Sequence, residues 1–104
     1  MYMPKEPKDA LSHTLNSLSH TMGLMDAFEN GELTRHDELQ RLVARIHSHL
    51  GLAKALERGR RETRALPDLS VAVCLRMVCA RSGRLMPRLR RAHQESAARD
   101  RSVA

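Results

Sequence analysis

Apolar residues recur along the first half of the chain at helical spacing. Leu11, Leu15, Leu18, Met22 and Met25 are separated by four, three, four and three positions. After Asn30-Gly31, a second set made of Leu39, Leu42, Ile46, Ala53 and Leu56 keeps the same seven-residue frame, widened by Val43 and Leu50. Each set occupies one side of a helix, and an Asn-Gly pair lets the chain reverse between them. The pattern predicts an antiparallel helical hairpin whose apolar seam has to be covered. Asp9 is the expected cap of the first helix, which should run to about Glu29 with Gly31 just past its end. Thr34 is the expected cap of the second, with Asp37 three residues on as an approximate capping box. Asp37 with Arg41, and Glu38 with Arg41, are charge pairs at helical spacing.

The second half reads differently. Arg58-Gly-Arg-Arg-Glu-Thr-Arg64 resembles a helix end and linker, and Pro67 punctuates the start of a third element. From Leu69 to Ala80 only Ser70 and Arg76 are strongly polar. The odd positions of that run are all apolar, as in a strand, but Ala72, Cys74, Val78 and Ala80 spoil the alternation. A central helix, apolar nearly all round and ending at Ser82-Gly83, fits better. A short helix should restart near Pro87, with a thin apolar edge among Arg84, Arg88, Arg90 and Arg91. The expected organisation is all-α: an arm over residues 1–8, one helical domain over 9–94, and a flexible tail over 95–104.

The composition narrows the function. In 104 residues there are only two aromatic side chains, Tyr2 and Phe28, and six Met. So small a core favours helices and completion by a second copy. Residues 1–52 hold five basic and seven acidic side chains, net −2, whereas residues 53–104 hold thirteen and five, net +8. Fifteen of the eighteen basic residues are Arg, which suits carboxylate or phosphate recognition but also follows from a GC-rich genome. No apolar signal segment opens the sequence, and no run is long enough to span a bilayer. A cytoplasmic protein without a membrane partner is expected. Cys74 and Cys79 make neither a disulfide framework nor a zinc spacing, and read as small buried residues.

Catalytic chemistry has no anchor here. There is no phosphate-binding glycine loop, zinc-ligand spacing or nucleophile elbow. His13 and His20 fall seven apart on the outer face of the first helix. His47 and His49 point ~160° apart on the second, so they cannot share a metal. His49 lands in the apolar stripe as a packed histidine. Neither an enzyme, a cofactor nor a functional metal is expected.

Two functions remain. A basic protein could bind nucleic acid nonspecifically through its Arg-rich half, although it lacks a base-reading pattern and stacking aromatics. A helical interaction protein uses more of the sequence, and its Met-enriched stripes suit helix-in-groove contacts. The Met-Tyr-Met-Pro-Lys-Glu-Pro opening, the segment Leu-Ser-His-Thr-Leu-Asn-Ser-Leu-Ser-His-Thr-Met (residues 11–22) and the Arg-rich second half resemble the QslA-like anti-activators of Pseudomonas. The resemblance extends to chain length. It implies a non-catalytic homodimer that binds the ligand-binding domain of the LuxR-type quorum-sensing regulator LasR, blocks its dimerisation and keeps it off DNA. No motif anchors a transfer of contact residues. From the residues themselves, Leu11, Leu15, Leu18, Met22, Met25, Leu39, Leu42, Ile46 and Leu75 are the expected dimer or partner interface. Arg58, Arg60, Arg61, Arg64, Arg84 and Arg88 are the expected electrostatic contacts.

Overall fold

A computed structural model describes residues 7–63 and 69–103. These residues form three helices and, among them, no strand: α1 (Pro7–Glu29), α2 (His36–Thr63) and α3 (Leu69–Val103). The all-helical expectation holds. The punctuation expected at Pro67 lies outside the described residues, as do Arg64 and positions 1–6.

α1 begins at Pro7, two residues before the expected Asp9 cap. Proline tolerates this place because the first helical N–H has no intrahelical acceptor in any case. The helix ends on a Schellman pair of hydrogen bonds. Glu32 N donates to Ala27 O at 2.9 Å and Gly31 N to Phe28 O at 3.1 Å. This geometry puts Gly31 at φ 75°, where a side chain is strained although nothing lies within 4 Å of where its Cβ would be. Gly31→Ala is therefore expected to cost about 1 kcal/mol through the backbone alone. Thermal denaturation followed by circular dichroism should show a fall in Tm of roughly 4–8 °C.

α2 opens at His36, where Leu39 N bonds Arg35 O at 3.0 Å. Thr34 therefore stands one residue outside the position expected for it. Asp37 and Glu38 lie in the first turn and favour the positive end of the helix dipole. Asp37 also reaches Arg41 at 3.8 Å and Arg35 at 3.3 Å. At the other end, the expected linker from Arg58 is helical through Thr63. One glycine costs a helix only about 1 kcal/mol. Against that, Glu57 pairs with Arg61 at 3.3 Å and Arg60 at 4.0 Å, and Leu56 packs on the core.

α3 departs most from expectation. One helix of 35 residues replaces two short helices and a flexible tail. The reason is a stripe that crosses the expected break: Val71, Leu75, Val78, Ser82, Leu85 and Leu89 are all buried, at spacings of four, three, four, three and four. Ser82 satisfies its hydroxyl by donating to Val78 O at 2.6 Å, so it sits in the stripe without an orphaned polar atom. Pro87 cannot donate to the carbonyl of Gly83, but Gly83 is exposed and water can take that place. Past Gln94 the helix stays anchored because Ser96 is buried against the start of α2.

The three helices share one core. α1 contributes Leu18, Met25 and Phe28, α2 contributes Leu39, Leu42 and Ile46, and α3 fills the seam of the hairpin. The buried line on α1 runs through Leu18, Thr21, Met25 and Phe28, while Leu15 and Met22 flank it half-buried. At 3.6 residues per turn, a heptad frame drifts by about 20° per heptad, which turns the buried line away from a strict seven-residue repeat. α2 and α3 run antiparallel, since the start of α2 meets Ser96 and its later turns face Leu75 and Cys79. The molecule is elongated, 51 × 31 × 22 Å, with a radius of gyration of 16.0 Å. A compact chain of this size would have about 13 Å.

Candidate functional site: the outer face of α3 and two polar seams

The apolar interface expected from sequence is largely the intrachain core. Leu18, Met25, Leu39, Leu42, Ile46 and Leu75 are buried beneath or within α3, and Leu15 and Met22 are half-buried. The six buried ones are out of a partner's reach while the fold is intact. The Leu11 side chain lies outside the described residues. α3 covers the hairpin seam from within the chain, because it is longer and more continuous than its sequence suggested.

What the chain leaves open is the other side of α3. Leu69, Val73 and Met77 are 76 %, 49 % and 55 % exposed, and they recur at i, i+4 and i+8 on one line. The 69–80 run is thus apolar on two sides with only one buried, whereas a helix apolar all round was expected to be central. Its buried side holds Val71, Leu75 and Val78. The exposed line leads toward Arg84 and Arg88, both exposed, and the Arg88 guanidinium lies 5.8 Å from the centre of the Phe28 ring. Two interleaved i,i+4 lines in one apolar run mark a helix with two apolar sides, and the sequence contains that signal without saying which side is buried.

A groove of about 320 Å³ adjoins this face, between α2 and α3. Ala53, Leu56, Leu75 and Cys79 supply its apolar lining, with Glu57, Arg60 and Arg76 among its charged residues. Burial pushes the Cys79 thiol up from its ordinary value, so it stays protonated and is a poor nucleophile at neutral pH. Both cysteines are half-buried rather than buried. Of the expected cationic residues, Arg58, Arg60 and Arg61 are exposed on the last turns of α2. Arg84 and Arg88 lie farther along α3, about 12 Å or more of helical rise beyond Arg76. The Arg residues form two separate patches instead of one.

Two polar seams lie inside the bundle. In the first, Thr21 of α1 and His49 of α2 bond through Oγ1 and Nε2 at 2.8 Å, both buried. Arg45 donates from Nε to Thr21 Oγ1 and from Nη2 to Ser17 O and Oγ, each at 3.0 Å. Burial and, secondarily, the Arg45 charge hold the His49 imidazole below its ordinary value. In the second, His36 and His93 stack with centroids 4.5 Å apart. Ser96 donates to His93 O at 2.7 Å, which leaves its oxygen to accept from His36 Nδ1 at 3.0 Å. An open cleft lies beside it, lined by Thr34, Arg35, His36, Asp37, Ser96, Arg99 and Asp100. His13 and His20 are exposed on α1.

Arg81 ties α1 to α3 by bonding Asp26 and lying 3.1 Å from Glu29 Oε2. The two carboxylates are well exposed, so water screens much of the attraction. Arg81→Ala is expected to cost about 1 kcal/mol, measured by urea denaturation, and to cost less at 1 M salt.

Among the described residues, no group of three or more His, Cys, Asp or Glu side chains is placed to hold a metal ion. No helix of the described residues is long and apolar enough to cross a membrane. No family model, curated protein or solved structure matches the chain.

Proposed function

We propose that this protein is a non-catalytic helical anti-activator. It docks on a transcriptional regulator of the LuxR type, covers that regulator's dimerisation surface and prevents its binding to DNA. The outer face of α3 supports this reading most directly: Leu69, Val73 and Met77 form a solvent-facing apolar line that continues into Arg84 and Arg88. An apolar strip beside a polar margin is how a docking surface is built. The matching surface on the regulator is apolar with carboxylates beside it, and the Arg residues steer the encounter. Covering one subunit's dimer surface is sufficient for inhibition, since paired half-sites need two correctly spaced subunits. Such a partner places the protein in the cytoplasm. We also propose that it acts as a homodimer, for which the elongated shape leaves ample surface; light scattering should then read twice the 11.8 kDa chain mass.

A second reading, nonspecific nucleic-acid binding, is favoured by the exposure of Arg84, Arg88 and Arg91 along α3. A gel-shift assay separates the two. The anti-activator alone leaves operator DNA unshifted at physiological salt and abolishes the shift produced by the regulator. A nucleic-acid binder shifts DNA directly, and its affinity falls steeply as salt rises.

A further inference from the structure

We propose that the Ser17–Thr21–Arg45–His49 seam is a proton-sensitive latch that fastens α1 to α2 at and above neutral pH and loosens as the medium becomes acidic. This goes beyond the anti-activator reading and does not depend on it. The latch is built from groups with no spare capacity for charge. His49 is only 6 % exposed and Thr21 is fully buried. Thr21 donates its hydroxyl hydrogen to Ser17 O at 3.0 Å. Its oxygen then has two acceptor sites, one filled by Arg45 Nε–H and the other by His49 Nε2–H. That economy assigns the neutral Nε2–H tautomer to His49, complete without a second proton.

Protonating Nδ1 creates a second cation one helical turn from Arg45. From α1 the ring meets the neutral hydroxyl of Thr21, and Arg45 is the one charge among the described residues that acts on it. On α2 its charged neighbour is Arg45, whose hydrogen bonds among the described residues go to Ser17 and Thr21 oxygens and none to a carboxylate. The imidazolium thus gains no counter-charge and loses its hydration.

The sign follows from linkage. The folded His49 binds its proton less readily than the unfolded one, whose ordinary value is 6.5. Stability is therefore complete above about pH 6.5 and is lost as pH falls below it, until the folded ring itself protonates. Within that window one proton changes the folded-to-unfolded ratio by up to about tenfold per pH unit.

The test compares urea denaturation of the full chain between pH 7.5 and 5.5 with that of His49→Gln, which can still donate a hydrogen bond but cannot titrate. The other five histidines are common to both proteins. The wild type is expected to lose stability on acidification by several-fold more in its folding equilibrium than His49→Gln. Equal pH slopes in the two proteins overturn the proposal. If His49→Gln fails to fold, a histidine-resolved NMR titration of the wild type decides. A ring that titrates below 6.5 supports the latch, and one that titrates at or above 6.5 overturns it. Amide protection provides the spatial check: loss concentrated in α1 supports a seam, whereas uniform loss over all three helices overturns it.

Discussion

Ile46→Asp should leave the protein unable to fold cooperatively, with the helical signal in circular dichroism lost or its thermal transition abolished. Ile46 is fully buried between the neighbouring Leu42 and His49 turns of α2, facing the core shared with α1 and α3. Asp removes the aliphatic contacts and brings a carboxylate into the apolar core. Losing a side chain of this size costs about 2–5 kcal/mol as a cavity, and an unpaired carboxylate adds several more or must be protonated. A domain of this size has about 5–10 kcal/mol in total, so the change consumes most of it. The same substitution at exposed Gln40 should be close to neutral, which makes it a suitable control. A well-folded Ile46→Asp protein would contradict the three-helix core directly.

The second large effect separates binding from folding. Val73→Asp with Met77→Asp should leave Tm within a few degrees of wild type, because both side chains already face water. Under the proposed function, the pair should weaken regulator binding by a hundredfold or more, as read by isothermal titration calorimetry. Desolvating two carboxylates against an apolar partner surface costs far more than the lost contacts alone. Neutralising Arg84 and Arg88 should act differently, slowing association and flattening its salt dependence with a smaller change in dissociation rate. Unchanged affinity in the Val73/Met77 pair would remove α3's outer face from the binding surface.

Much of this architecture was readable before any coordinates. The reversal at Asn30-Gly31, the α1 and α2 helices and the inward placing of His49 all follow from spacing and turn chemistry. The errors concentrate where a local stop signal competes with a longer stripe. Gly59, Ser82-Gly83 and Pro87 each weaken a helix locally; packing on both sides overruled the two in α3, and the Glu57 ion pairs with Arg60 and Arg61 carry α2 past Gly59. Thr21 was passed over for a different reason. A polar residue on an apolar line looks like an interruption until its partners, Arg45 and His49, arrive from another helix.

Sequence periodicity alone determined that the chain is helical, where its first reversal lies and which residues seek burial, because these depend on neighbours within a few turns. It could not decide what covers them. Burial of the hairpin seam depends on α3 returning antiparallel along α2, a long-range event invisible to any local window. That return turned the expected interface residues into core, and it turned Leu69, Val73 and Met77, from a run read as interior, outward to solvent. Only tertiary structure could make that choice, because an apolar helix with two similar sides has no local reason to bury one rather than the other.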